Sequence, residues 1–316
     1  FHLHEKANRR HAVEYLHRDE TKGEGLFRFL RRSIGGHTDK VVDKSLFAHT
    51  CQVHGLRTAP VLLELDRGEV VAAEGAPSLP HRDLIVKPAR GRGGRAIERW
   101  DHVAEAGFRN PEGQTLGDGA LLDRLLERSR EECLLVQPRL TNHPEIADLG
   151  GGILTTARIM TCLDEVGAPE ATTAAFRVAV ENTTVDNFHA GGIAAAVELS
   201  TGQLGRAVGL RGKSPWYAAH PITGSAIEGR RLPFWKEALE LVTRAHAAFP
   251  GLVLVGWDVG LLEDGPVLIE ANTGADVNIL QRPHGCPIGG TRLGQLLAYH
   301  LRRAEAAKPP TGGHLG

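Results

Sequence analysis

The chain has 316 residues, 41% of them apolar and 24% charged, with a formal net charge of −1. That length carries one large domain or two smaller ones, and the composition is that of a soluble globular enzyme. The near-zero charge excludes a global field for nucleic acid or an anionic membrane, and no apolar run reaches the length of a membrane span. Cys51, Cys133, Cys162 and Cys286 are scattered without C-x-x-C spacing, so a reducing cytoplasm is expected and a disulfide framework is not. No histidines show the H-E-x-x-H spacing of a zinc hydrolase. The chain starts at Phe1 without Met or a signal-like segment, so an upstream piece is expected to be missing.

In chain order, residues 1 to about 36 are strongly charged, with Arg9-Arg10 and Arg31-Arg32, and read as helical and solvated. Thr38 or Asp39 suits the cap of one helix running to about His54, with Gly55 at its end. That places Lys44 one turn into a helix. Leu56 to Leu65 reads as an edge-like or irregular strand because it carries Pro60. Asp83 to Pro88 is a short apolar strand with Lys87 near its end, and Ala96-Ile97-Glu98 is its return. Between them lies a basic loop with Gly91, Gly93 and Gly94. Gly119 to about Glu132 has helical periodicity, and Cys133 to Gln137 is a strand that Pro138 ends. Thr155 to Leu163, Ala171 to Val180 and Ile193 to Leu199 fit strands. Pro233 to about Phe249 and Arg292 to about Ala307 fit helices, and the tail from Lys308 should be disordered.

The stretch from Val253 to Asn272 is the most telling. Two apolar runs flank Glu263-Asp264-Gly265, a strong hairpin signal. Folding the chain about Asp264 sets Asp258 opposite Glu270, and Asn272 then shares the face of Glu270. Two carboxylates and an amide oxygen on one face suit Mg²⁺ held together with substrate phosphates. Glu270 also sits in a buried-looking strand, where an acid needs a partner.

Other residues bear on chemistry. Glycines let the backbone approach anionic oxygens, and Lys87 beside the loop supplies a point charge for phosphate. The loop joins two strands, so it is neither a Walker A loop nor a dinucleotide fingerprint. Val136-Gln137-Pro138-Arg139 ends a buried strand in an irregular exit, where free backbone groups can pair with an adenine edge. Arg158 lies inside an apolar strand and needs an anion, a carboxylate or a phosphate. Asn187-Phe188-His189-Ala190-Gly191-Gly192 is a polar turn whose glycines either admit a ligand or shape the turn.

In this order the pieces resemble the ATP-grasp superfamily. The matching residues are Lys44, Lys87, the glycine loop, the Val136-Gln137 linker, Arg158 and the Asp258/Glu270/Asn272 set. Within it the chain looks similar to the sugar-transfer-associated ATP-grasp proteins, related to alpha-L-glutamate ligase-like enzymes. That resemblance is carried by Thr155-Thr156-Ala157-Arg158, Phe188-His189-Ala190-Gly191-Gly192, His220-Pro221-Ile222-Thr223-Gly224, Leu232-Pro233-Phe234-Trp235 and the hairpin. It covers about residues 38 to 300. It implies an α+β fold with two lobes gripping ATP between antiparallel sheets, preceded by a helical N-terminal segment. The expected division is 1–80 for the helical segment and part of the first lobe, 81–140 for a lid subdomain, 141–307 for a C-terminal subdomain with the metal site, and 308–316 for the tail.

The resemblance further implies that Lys44 and Lys87 contact the α- and β-phosphates and that Gly91, Gly93 and Gly94 belong to a mobile lid. Backbone at Gln137, Pro138, Arg139 and Leu140 would read adenine, and Glu145 or Asp148 would hold the ribose. Asp258, Glu270 and Asn272 would hold Mg²⁺ (or Mn²⁺). Arg158, with Lys87, would stabilise charge during transfer, and His189, Gly191 and Gly192 would face the acceptor. The implied reaction joins a small-molecule carboxylate to an amine through an acylphosphate, releasing ADP and phosphate. A kinase acting on a sugar or polyol hydroxyl, or a silent nucleotide-binding module, are the alternatives. One departure stands out: many relatives carry a Rossmann-like domain before the first lysine helix, and here only some 38 residues precede it.

Overall fold

The computed structural model describes residues 13–17, 20, 25–33, 38–91, 96–180, 188, 191–211, 214–274 and 276–307. The first described helix, α1 (Leu26–Ser33), corrects the expectation of a solvated N-terminus. Phe27 and Leu30 are buried in a cluster with Leu293, Leu296 and Leu297. Their spacing of three places both on one helix face, which docks on a C-terminal helix. Arg9 and Arg10 lie outside the described residues.

The expected single helix from Thr38 to His54 is two helices, α2 (Asp39–Val42) and α3 (Lys44–Val53). Asp43 breaks them. Its backbone is extended, and its carboxylate accepts hydrogen bonds from the Ser45 and Leu46 N–H groups. This N-cap starts a new helix. Lys44 is therefore the first residue of α3, not a residue one turn inside a helix.

The first sheet is antiparallel and contains β1 (Leu63–Asp66), β2 (Glu69–Ala73), β3 (Leu84–Pro88), β4 (Glu98–Val103), β5 (Gly107–Arg109), β6 (Thr115–Leu116) and β7 (Leu134–Pro138). Their order across the sheet is β2-β1-β7-β3-β4-β5-β6. The strand expected over Leu56 to Leu65 begins only at Leu63, because Pro60 has no N–H for a ladder. The helix α4 (Asp118–Ser129) covers one face, packing Leu121 and Leu125 on Leu63, Leu84, Val86, Leu134 and Val136. Side chains alternate along strands, so Ile85, Lys87, Leu135 and Gln137 lie on the opposite face.

A 3₁₀ turn, Pro144–Leu149, leads to the second sheet. This contains β8 (Thr156–Leu163), β9 (Pro169–Val178), β10 (Ile193–Val197), β11 (Leu204–Gly209), β12 (Trp216–Tyr217), β13 (Leu254–Leu262) and β14 (Gly265–Asn272). Their order is β12-β11-β10-β9-β8-β13-β14, with antiparallel neighbours. One face packs Ile159, Phe176, Trp257 and Leu268 against α5 (Trp235–Ala248). The other face packs Met160, Cys162, Ala175 and Ala194 against α6 (Asn278–His284) and α7 (Arg292–Ala306). Among the described residues no helix is long and apolar enough to cross a membrane.

Asp258 does pair with Glu270, by a route the sequence does not announce. The turn is two residues long, with Leu262 opposite Gly265, and that register alone would set Asp258 opposite Ile269. A bulge between Asp258 and Val259 restores the expected pairing, because Ile269 is the extra residue.

Candidate functional site between the two sheets

Arg158, Asp258 and Glu270 stand side by side on β8, β13 and β14. Cross-strand partners share a face, so the three point together, on the face that carries Met160 and Cys162. Asn272 follows two residues on, opposite Gly256, and its amide N–H donates to Glu270 Oε1 at 3.3 Å.

Asp258 is buried between two guanidinium groups. Arg158 donates through Nε to Oδ1 and through Nη2 to Oδ2 at 3.1 Å. Arg177 Nη2 lies 2.8 Å from Oδ2. Arg177 comes from β9, where its neighbour Phe176 pairs with Ala157. Its Nε donates to Thr156 Oγ1 at 2.9 Å. Burial alone would raise the Asp258 pKa, but the charges of Arg158 and Arg177 outweigh it and hold the carboxyl well below the usual range. Glu270 is pushed the other way, by burial first and then by the charge of Asp258. Their shared hydrogen bond favours the ionised form of Asp258 and opposes that of Glu270.

The opposite side of the cleft is cationic. Lys87 is 7% exposed, and burial pushes its ammonium down to about 8. The Glu270 carboxylate pulls that value back up and Lys44 lowers it further, so the three groups share one electrostatic environment. Lys44 Nζ donates to the Gly91 carbonyl at 2.8 Å, and its N–H donates to Ala89 O at 2.9 Å. Arg90 pairs with Asp43. The start of α3 and the first residues of the glycine loop are thus joined. Gly93, Gly94 and His189 lie outside the described residues.

The linker expected to read adenine is partly committed. Gln137 is buried, and its amide donates to Ala59 O at 3.0 Å. Pro138 has no N–H. The Arg139 N–H donates to Asp83 O at 2.9 Å, and its guanidinium binds Asp83, Asp101 and Gly152 O. Leu140 carries the first N–H beyond the strand with no partner among the described residues. Of the two acids considered for ribose, Asp148 is held in a bidentate pair by Arg230, and Glu145 is exposed. Gly191, in the left-handed region at φ 107°, and Gly192 enter β10. Ile193 of that strand pairs with Val178, next to Arg177.

Among the described residues no group of three or more His, Cys, Asp or Glu side chains gathers as a metal cage. The two carboxyls and the amide of Asp258, Glu270 and Asn272 are nevertheless all hard oxygen donors. Two acids in contact, with no ion pair to Glu270 among the described residues, form a juxtaposition that a divalent cation relieves. Arg177 and Thr156 were missed in the sequence. The signal was there, since Arg177 sits in Ala174-Ala175-Phe176-Arg177-Val178 just as Arg158 sits in its apolar strand.

Two antiparallel sheets facing one another across a cleft, with lysines on one side and an arginine–acid row on the other, are the ATP-grasp architecture. A model of the sugar-transfer associated ATP-grasp family matches residues 33–290, and the chain belongs to that family. No curated protein matches it. Among solved structures it is similar to an L-amino acid ligase from Bacillus licheniformis, at 14% identity and a TM-score of 0.46, over 84% of this chain and 48% of that one. It is also similar to a D-alanine–D-alanine ligase from Bacillus anthracis complexed with ATP, at 13% identity and 0.44, over 85% and 68%. A D-Ala:D-Ser ligase from Enterococcus faecalis gives 14% and 0.47, over 83% and 61%. The chain spans about half the length of the first of these, and at such scores they say nothing of its activity.

Proposed function

We propose that the protein is an ATP-dependent carboxylate–amine ligase. One observation carries this reading: among the described residues, Lys44, Lys87, Arg158 and Arg177 meet two acids, Asp258 and Glu270, at the cleft. Such an excess of cations, largely withdrawn from water, is matched by a polyphosphate. In this reading a substrate carboxylate oxygen attacks the γ-phosphorus and the bond to ADP breaks, giving an acylphosphate. An amine nitrogen then attacks the acyl carbon, loses a proton, and inorganic phosphate leaves. The first step turns a poor electrophile into a good one, and the protein's work is positioning and charge neutralisation.

Lys87 and Lys44 hold the phosphates, and Arg158 stabilises charge on the group in transit. Arg177, on the other side of Asp258 and beside Gly191 and Gly192, takes part in the same task. Leu140 N–H is the best placed group to receive an adenine ring nitrogen. Glu270 and Asn272, with Asp258, would hold Mg²⁺ or Mn²⁺, which when bound neutralises charge on the β- and γ-phosphate oxygens.

The test is nucleotide analysis of the purified protein with ATP and Mg²⁺, with and without pooled acids and amines. ADP and phosphate rising together only with an acid–amine pair support the ligase. ADP with a phosphorylated acceptor and no free phosphate would replace it by a kinase. Glu270→Gln should abolish turnover while leaving the far-ultraviolet circular dichroism unchanged, and near-normal turnover in that variant would remove Glu270 from the site.

A further inference from the structure

The chain passes between the two sheets at two places, and the structure fastens these crossings to each other. The first crossing is the segment 57–62. Its beginning belongs to the second sheet: Thr58 forms a parallel bridge with Leu268 of β14. Leu268 N–H donates to Arg57 O at 3.0 Å, Ala59 N–H donates to Leu268 O at 3.1 Å, and Thr58 Oγ1 donates to the same oxygen at 2.9 Å. Arg57 also binds Asp264, in the turn of the metal hairpin, through the Asp264 carbonyl at 2.7 Å and its carboxylate. The end of the segment belongs to the first sheet, since Leu62 N–H donates to Val136 O at 2.8 Å and Leu63 pairs with Val136. Pro60 and Val61 are the change-over.

The second crossing leaves the first sheet at Gln137 and Pro138. Gln137 does not point along its own exit. Its amide reaches sideways and donates to Ala59 O at 3.0 Å, and both residues are buried. The carbonyl receiving this bond belongs to the residue whose N–H is bonded to Leu268. Leu268 is two residues before Glu270. An unbroken run of hydrogen bonds therefore leads from the strand end beside Leu140, through Ala59, to the strand that carries Glu270 and Asn272.

We propose that Gln137 is a positioning residue whose side chain pins the two crossings together and so fixes the metal hairpin relative to the adenine side of the cleft. The role differs from the one read in the sequence, where Gln137 was a nucleotide contact through its backbone. In the structure its side chain is used on the protein itself. This inference rests on the nucleotide reading for its purpose, but not for its geometry. Pinning matters because, on that reading, one ATP molecule touches both sheets: the adenine linker and Lys87 belong to the first, and Arg158, Asp258, Glu270 and Asn272 to the second. A small relative shift leaves each half-site intact and spoils only a ligand that spans both.

The experiment compares the full chain with Gln137→Met, which keeps length and apolar bulk but removes the donor. Hydrogen exchange is followed at Ala59 and Leu268 without ligand, and affinities are measured for adenosine and for ATP with Mg²⁺. Loss of one neutral hydrogen bond should speed exchange at Ala59 and Leu268 roughly fivefold. Adenosine affinity should stay within about twofold while ATP with Mg²⁺ weakens roughly fivefold, in line with the same bond. In turnover the loss should fall on KM for ATP more than on kcat. Unchanged exchange at Leu268 would overturn the proposal, as would an equal loss for adenosine, which would make Gln137 a direct adenine contact. If wild-type protein binds neither adenosine nor ATP, the nucleotide reading fails, and exchange alone then decides whether the pin exists. Should Gln137→Met not fold, Gln137→Leu removes the same donor with a different apolar side chain and is read in the same way.

Discussion

Lys87→Met should make the nucleotide-free protein more stable and at the same time a worse binder of ATP. Burial takes the Lys87 ammonium from 10.5 to about 8. Each tenfold of proton affinity is worth about 1.4 kcal/mol, so carrying this charge costs the folded state roughly 3 kcal/mol at pH 7. Methionine keeps the aliphatic stem and drops the charge. The sign follows from linkage. Below about 8 both folded and unfolded chains hold the proton, and the whole cost is present. Between about 8 and 10.5 the folded chain is neutral while the unfolded one is still charged, so the cost fades. The stability advantage of Lys87→Met should therefore be largest at pH 7 and roughly halve by pH 9.5. Urea unfolding at the two pH values, without nucleotide, measures it. ATP affinity should fall about 10- to 100-fold, the worth of a charged hydrogen bond. A variant that is less stable at pH 7, with a gap indifferent to pH, would refute the reasoning and make Lys87 a structural residue.

Two further outcomes follow from packing and charge. Asp258→Asn leaves Arg158 and Arg177 without their buried counter-charge and should cost roughly 3–5 kcal/mol, read by denaturant midpoints with no ligand present. Leu30→Ala empties a fully packed position between α1 and α7; a loss of about 2–4 kcal/mol is expected, and a loss below about 0.5 kcal/mol would return α1 to the solvated segment its charges suggest.

The legibility of the chain followed the strength of its local signals. The hairpin from Val253 to Asn272 could be read because its apolar runs are long and its turn is polar. The lysine at Lys87 and the arginine at Arg158 could be read because a charge inside an apolar strand is costly and needs a reason. The same signal is present at Arg177, a charge in the apolar run Ala174-Ala175-Phe176-Arg177-Val178 whose acid partner, Asp258, lies on another strand. The break at Asp43 was hidden because Asp39 to Val53 has no Gly or Pro, and only the side-chain bonds of Asp43 to Ser45 and Leu46 N–H show where one helix stops. α6 was missed because Pro283 and the glycines around it look like loop, although Pro283 sits in the last turn, near the Gly285 cap. The partners of Gln137 and Asp148 could not have been found, since Ala59 and Arg230 lie 78 and 82 residues away in sequence.

The bulge at Ile269 has a consequence for how this gene segment can change in length. Deleting Ile269 alone would remove the bulge and, with Leu262 still opposite Gly265, bring Glu270 directly opposite Asp258 in a regular ladder. Adding one residue at the exposed Glu263-Asp264 tip would lengthen the loop and leave the same strand pairs in place. Single-residue changes at the tip or at Ile269 should therefore keep the two acids paired, whereas a further residue inserted between Ile269 and Glu270 should part them, and a library of such length variants, scored by which members still fold and bind ATP, would map this counting rule.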